Sequence, residues 1–202
     1  MPDWAAVRAE FPGLEGRTFL DTATFGQLPR RTVEAVSRHF TRRDATAARD
    51  FLSWFDDAEQ TRAKIARLIN ASAGDIAFVQ NASTALATVI AGIDWSPGDR
   101  LVTLAHEFPN NLYAPTRLLA RGVEFVETEW DGFEGALNER TRLVLLSTVN
   151  YATGFRPPIE EIGPRLRERG VTLYVDGTQS VGALRFDVQQ VQPAALAVHG
   201  YK

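Results

Sequence analysis

Short apolar runs alternate with longer segments of helical periodicity along most of this chain. The runs are four or five residues long and rich in β-favouring side chains, which predicts buried strands rather than helices. The predicted strands cover residues 76–79, 100–104, 123–126, 143–146, 171–175 and 194–198, and a further short strand enters a turn within residues 18–26. The predicted helices cover residues 30–49, 53–71, 85–92, 112–121 and 159–169, after one short helical turn within residues 4–11. This alternation predicts an α/β fold, a mainly parallel sheet with helices on both faces.

Polar and ionisable residues follow the last two predicted strands directly. Asp176 comes at the carboxyl end of the strand over 171–175, and Gln179 lies in the turn that follows it. The strand over 194–198 leads into His199 and then Lys202. Because open α/β sheets bind ligands outside the carboxyl ends of their strands, an acid and an amine are expected at one ligand crevice.

These two segments resemble a known family. Residues 176–180 read Asp-Gly-Thr-Gln-Ser, and residues 199–202 read His-Gly-Tyr-Lys. The pair looks like the class V aminotransferase family, which includes the cysteine desulfurases and belongs to the fold-type I enzymes that use pyridoxal 5'-phosphate (PLP). The resemblance implies that Lys202 forms a Schiff base with the cofactor, that Asp176 pairs with the pyridine nitrogen, and that Gln179 approaches the ring hydroxyl. A carboxylate beside that nitrogen keeps the ring an electron acceptor, and an amine can form the imine and then move a proton.

The start of the helix after residue 81 has two interpretations. A serine or threonine there can simply cap the helix. The free N–H groups and hydroxyls of a helix N-terminus can equally hold a phosphate. The family has a phosphate-binding motif at this place, so the resemblance implies that Ala82 (through its backbone), Ser83 and Thr84 bind the cofactor phosphate. His199 lies three residues before the lysine, where the family places another phosphate contact.

The stacking and substrate positions depart from the desulfurase pattern. Cysteine desulfurases have Glu-His where this chain has Glu107-Phe108, so the resemblance makes Phe108 the residue stacked on the cofactor ring. A phenyl ring can cover the ring face but cannot transfer protons, and His106 remains a competitor two residues earlier. The family often has an asparagine near the substrate after the strand over 143–146; here Asn150 and Tyr151 are the two candidates.

Composition excludes several other classes of function. The chain has 202 residues, a net charge of −3, no basic block and no cysteine. These features argue against nucleic acid or an anionic membrane as a partner, and they leave no disulfide framework and no thiolate metal site. The acidic segment over 127–132 is expected to be solvated, so no metal site is predicted. Without a signal peptide or a membrane-spanning run, the protein is expected to be cytoplasmic.

Two domains are predicted on these grounds, an N-terminal segment over residues 1–15 and a PLP-binding large domain over residues 16–202. Members of the family continue well beyond the Schiff-base lysine. We therefore expect the large domain to be incomplete at Lys202, and the small C-terminal domain and a carboxylate-binding arginine to follow it. The resemblance also implies a homodimer.

The predicted function is that of a PLP-dependent enzyme acting on an amino acid or a related amine. Amino transfer of the class V type is the first hypothesis. The alternatives are a cysteine desulfurase or lyase, an epimerase, and a non-catalytic member that serves as an interaction module. A nucleotide-binding Rossmann domain ranks last, because the glycine-rich turn that it needs after its first strand is absent from the sequence.

Overall fold

The computed structural model describes residues 2–202 and divides them into two compact units. One unit holds the residues up to Thr61 together with Tyr201–Lys202, and the other is Arg62–Gly200. The α-helices are α1 (Trp4–Ala9), α2 (Arg30–Thr46), α3 (Leu52–Ile69), α4 (Ala82–Ala91), α5 (Pro109–Tyr113), α6 (Phe133–Ala136), α7 (Ile159–Glu168) and α8 (Val188–Val191). The strands are β1 (Arg100–Leu104), β2 (Glu124–Thr128), β3 (Thr141–Ser147), β4 (Thr172–Asp176) and β5 (Ala195–Ala197). Short 3₁₀ helices cover Pro12–Leu14, Ala73–Asp75, Ala114–Arg121 and Trp130–Gly132.

The five strands form one sheet in the order β2-β1-β3-β4-β5, and every pairing is parallel. Parallel strands covered on both faces are apolar almost throughout, and β3 shows this pattern, with all its residues buried except Arg142. The expected α/β architecture is therefore confirmed.

Alternate residues of the strands contribute to two separate hydrophobic cores, one on each face of the sheet. On one face Val144, Leu146 and Val175 pack with the buried side of α7. On the other face Leu145 and Tyr174 pack with α4 and the 3₁₀ helix Ala114–Arg121. The sheet is thus held between helices, and its carboxyl edge is fixed from both sides.

The unit formed by the residues up to Thr61 contains α1 and α2. Asp3 caps α1, its carboxylate accepting hydrogen bonds from the N–H groups of Ala5 and Ala6 at 3.0 and 3.1 Å. Helix α2 ends where Ala47 adopts a left-handed φ of 52°. None of the residues of α1 and α2 is buried, so these helices expose apolar side chains such as Phe40 to solvent.

Several predicted elements differ from those observed. Residues 18–26 and 76–79 are not strands, because neither segment pairs with a neighbour. The helix predicted over 112–121 is a short α5 followed by a 3₁₀ helix that has Pro115 in its first turn, where proline removes a backbone donor. The cap of α4 is Asn81 and not a serine or threonine, since its side chain accepts from the N–H of Thr84 at 2.8 Å.

None of the helices within residues 2–202 combines the length and the apolar composition that crossing a bilayer requires. The predicted boundary after residue 15 stays a prediction.

Candidate active site

The carboxyl ends of β3, β4 and β5 lie side by side at one edge of the sheet. Ser147 pairs with Asp176, and Asp176 pairs with Ala197. Residues that follow these strands therefore project beyond the same edge, where a parallel α/β sheet binds its ligand.

Asp176 is buried at this edge, with 6% of its surface exposed. Its Oδ1 accepts a hydrogen bond from the N–H of Thr178 at 2.9 Å, and its backbone carbonyl accepts from the N–H of Thr148 at 2.9 Å. Gly177 leaves no space for a side chain, because an added Cβ would lie 2.8 Å from a methyl group of Leu196. The turn therefore holds the carboxylate of Asp176 in one place.

Helix α4 begins beside the strand that carries Asp176. The hydroxyl of Tyr174, two residues earlier on β4, donates to the carbonyl of Ala82 at 3.3 Å. Burial, and then the negative charge of Asp176, raises the pKa of the Tyr174 phenol above its ordinary range. The first N–H groups of a helix have no intrahelical acceptor, and Ser83 and Thr84 in this first turn are exposed. The start of α4 thus lies near the end of β4, with two exposed hydroxyl side chains in its first turn.

The segment after β5 is tied to the turn after β4. The N–H of His199 donates to the hydroxyl of Thr178 at 3.3 Å, and the N–H of Gly177 donates to the carbonyl of Ala197 at 2.8 Å. His199 and Gln179 are both half-buried. The structure therefore brings Asp176 and His199, two of the residues expected from the sequence, to one pair of strand ends.

Phe108 and Tyr151 form a second group at the ends of β1 and β3. Their rings meet edge to face, with 5.3 Å between the ring centroids and 88° between the ring planes. The side-chain amide of Asn150 is instead used in other hydrogen bonds. It donates to the carbonyl of His106, in the segment after β1, at 2.9 Å, and it accepts from the N–H groups of Ala152 and Thr153 in its own loop. Of the two substrate candidates, Tyr151 is the one in contact with Phe108.

His106 has a left-handed backbone with φ of 60°, and its side chain is 78% exposed beside Glu129, with 3.6 Å between its Nε2 and the carboxylate. The side chain of His106 therefore lies beside Glu129, whereas the ring of Phe108 contacts Tyr151. The role of ring stacking stays assigned to Phe108 as a prediction.

Lys202 belongs to the unit formed with the residues up to Thr61, and its surroundings there are described separately. Its Nζ lies 5.7 Å from the centroid of the Tyr201 ring, and that ring packs against Phe25 with 5.3 Å between centroids. The N–H of Gly26 donates to the carbonyl of Tyr201 at 3.0 Å. Gly26, at the end of the segment predicted as a short strand and turn, thus holds the backbone next to the lysine.

Sequence reasoning missed one acid, Glu107. It is 3% exposed, and its carboxylate accepts hydrogen bonds from Ser147 and from the side chain of Asn111. An acidic residue three positions after the strand over 100–104 and directly before the predicted stacking residue was a usable signal, but the sequence alone does not show its hydrogen-bond partners.

The donors and acceptors present fit PLP. The phosphate would lie at the N-terminus of α4 near Ser83, and the buried carboxylate of Asp176 suits a protonated ring nitrogen. Phe108 offers an aromatic face. In the other unit, Lys202 carries the primary amine that the resemblance makes the Schiff-base group. Within residues 2–202 no group of three or more His, Cys, Asp and Glu side chains is placed to hold a metal ion.

A doubly covered parallel sheet with an acid at one strand end and a helix start beside it provides groups that the cofactor-binding domain of a PLP-dependent enzyme needs. The chain belongs to the aminotransferase class-V family, whose model matches residues 18–202.

Known proteins support the same conclusion. A protein named probable cysteine desulfurase from Methanothermobacter thermautotrophicus is 31% identical over 208 residues, which cover 97% of this chain and 52% of that protein. A mutant of C-DES with glycine covalently linked to its PLP cofactor has a TM-score of 0.86 at 25% identity, covering 100% of this chain and 56% of C-DES. The cystine C-S lyase C-DES in complex with its reaction product cysteine persulfide has a TM-score of 0.84 at 25% identity, covering 95% of this chain and 55% of its own.

The family and the PLP-linked neighbour indicate pyridoxal 5'-phosphate as the cofactor. The chain spans about half the length of the relatives that it matches.

Proposed function

We propose that this chain is the cofactor-binding part of a PLP-dependent enzyme that breaks the carbon–sulfur bond of cysteine or a related amino acid. The observation that carries this proposal is its similarity to proteins named as cysteine desulfurases and to C-DES, named as a cystine C-S lyase. Carbon–sulfur cleavage therefore moves ahead of the amino transfer that was the first hypothesis from the sequence.

PLP, when bound, supplies the electron sink that lets a bond at the substrate α-carbon break. The residues of the chain have separate tasks around it. Asp176 holds a proton at the ring nitrogen, because a buried carboxylate stabilises the adjacent positive charge. Lys202 holds the cofactor through its amine and moves the proton at the substrate α-carbon.

The phosphate is expected to bind the N–H groups of Ala82 and Ser83 and the hydroxyl of Ser83. Thr84 is a weaker candidate, since both its N–H and its hydroxyl already donate to the side chain of Asn81, at 2.8 and 3.2 Å. His199 would add a contact from the segment after β5. Gln179 would hydrogen-bond the ring hydroxyl, and Phe108 would cover one face of the ring.

Amino transfer remains the second candidate, and the observation that favours it is Phe108. A phenyl ring covers the cofactor but cannot donate a proton to a departing sulfur, as the histidine that cysteine desulfurases have at this position could.

Product analysis separates the reactions. The full-length protein would be incubated with PLP, L-cysteine and a thiol reductant, and then with other amino acids and a keto-acid acceptor. We expect sulfide with alanine, or sulfide with pyruvate and ammonia, and no product from the Lys202→Ala variant. Conversion of an amino acid to its keto acid only when an acceptor is present, without sulfide from cysteine, would instead establish amino transfer.

The homodimer and the cytoplasmic location stay predictions. Light scattering of the purified protein gives the mass of the assembly and tests the first of these.

A further inference from the structure

The buried carboxylate of Glu107 is not used in the proposed chemistry. It is the least exposed of the acidic side chains in the core, more deeply buried than Asp176. A carboxylate is retained in a protein interior only when hydrogen bonds replace its lost hydration, so its partners show what it holds.

Four donors surround this carboxylate. Oε1 accepts from the N–H of Ser147 at 2.7 Å. Oε2 accepts from the hydroxyl of Ser147, from the side chain of Asn111 at 3.2 Å and from the N–H of Phe108 at 3.3 Å. The donors come from the carboxyl end of β3, from α5 and from the residue that precedes α5. One side chain therefore joins the segment after β1 to the end of β3.

Both segments carry groups of the proposed site. Phe108 is the predicted stacking residue, and Ser147 pairs directly with Asp176 across the sheet. The next residue, Thr148, donates its N–H to the carbonyl of Asp176. Hydrogen bonds thus lead from the backbone of Phe108 through Glu107 to Ser147, and the next residue in the chain, Thr148, is hydrogen-bonded to Asp176.

We propose that Glu107 is a positioning residue that fixes Phe108 relative to Asp176, and so sets the distance between the aromatic cover of the PLP ring and the carboxylate at its nitrogen. This inference rests on the proposed function. Glu107 does not itself touch the cofactor and acts through the backbone of Phe108 and Ser147.

The geometry specifies what Glu107→Gln should do. The new amide nitrogen would replace one acceptor oxygen with a donor. The hydroxyl of Ser147 can turn to accept from it, and the amide of Asn111 can flip. The backbone N–H groups of Phe108 and Ser147 have no such freedom, and one of the two would face another donor. The link between the segment that carries the stacking ring and the end of β3 is therefore expected to weaken.

The test measures PLP binding by tryptophan quenching and the visible circular dichroism of the bound PLP. We expect Glu107→Gln to raise the PLP dissociation constant about tenfold, the effect of losing one hydrogen bond to a charged group. The dichroism per bound PLP should fall at saturation. Glu129→Gln is the matched control, because the side chain of Glu129 is 75% exposed and should leave both readouts unchanged. Glu107→Asp, which keeps the charge but draws it back by one methylene, should fall between wild type and Glu107→Gln.

A double-mutant cycle with Phe108→Leu shows whether Glu107 acts through the ring. Once the ring is gone, Glu107→Gln should change the dissociation constant by less than about twofold. Loss of thermal stability in Glu107→Gln with unchanged PLP affinity and dichroism would overturn the inference and leave Glu107 a purely structural residue. Equal effects of Glu107→Gln with and without the ring would also overturn it. Failure of the wild-type protein to bind PLP would instead refute the proposed function, and this inference with it.

Discussion

The buried phenol of Tyr174 should make the protein less stable at alkaline pH, and substitution of this one residue isolates the effect. The phenol is fully buried, donates to the carbonyl of Ala82 and lies near the charge of Asp176. An ordinary tyrosine pKa is about 10. Burial and the carboxylate both disfavour the phenolate, so the pKa of Tyr174 in the folded protein lies higher. The folded state therefore keeps a proton that the unfolded chain releases.

The raised pKa of Tyr174 determines both the sign and the size of the change in stability with pH. Below about pH 10 the contribution of Tyr174 is complete. Above it the unfolded state binds fewer protons than the folded state, and stability is lost at about 1.4 kcal/mol per pH unit until the folded-state pKa is reached. Tyr174→Phe should lower the free energy of unfolding by about 1 kcal/mol at neutral pH, the value of one buried hydrogen bond. It should also remove this slope.

Urea unfolding of the PLP-free protein, followed by tryptophan fluorescence at a series of pH values from 8 to about 11, measures both quantities. Tyr113→Phe is the control, since Tyr113 is 72% exposed and should retain the wild-type slope. A Tyr174→Phe protein that loses stability above pH 10 as steeply as wild type would refute the reasoning, because another group would then carry the slope.

Three further substitutions test the packing and the helix starts. Gly163→Ala should lower the free energy of unfolding by about 3 kcal/mol, because its Cβ would collide with a backbone carbonyl at the end of α8. Gly135→Ala is the control and should not destabilise the protein, because its Cβ would meet nothing within 4 Å. Equal unfolding free energies for the two variants would contradict this packing. Asn81→Ala should lower the free energy of unfolding by about 1 kcal/mol, because α4 loses its N-terminal cap. Asn81→Ser should restore most of that stability. An unchanged free energy of unfolding in Asn81→Ala would show that the cap does not stabilise the protein. Gly26→Ala would place a Cβ 3.1 Å from the backbone of Lys202 and should weaken retention of PLP on gel filtration several-fold. Gly74→Ala is the unhindered control, and full retention of PLP by Gly26→Ala would argue against this contact.

The sequence predicted the sheet well because buried parallel strands are apolar on both faces. The strand predicted over 100–104 coincides with β1, and the other strands of the sheet differ by one or two residues at their ends. Residues 18–26 and 76–79 have the same β-favouring composition but pair with nothing. Pairing depends on a neighbour distant in the chain, which local composition does not specify.

The sequence predicted only part of the site, because it does not show which side chains are in contact. Asp176 and His199 fall at one edge of the sheet because the strands are parallel and their carboxyl ends lie there. The start of α4 lies beside β4 through the hydrogen bond from Tyr174 to Ala82, which the sequence does not show. The sequence could not decide that Asn81 rather than Ser83 caps α4, because all of these residue types favour that position. Nor could it reveal that Glu107 is buried, since its partners Ser147 and Asn111 come from other elements.

Identification of the lysine that holds PLP tests the central claim most directly. The sequence contains lysine at positions 64 and 202, so reduction of the PLP-bound protein with borohydride, followed by peptide mass mapping, distinguishes them. The account predicts a phosphopyridoxyl group on Lys202 and none on Lys64. A phosphopyridoxyl group on Lys64, or none on Lys202, would contradict the account.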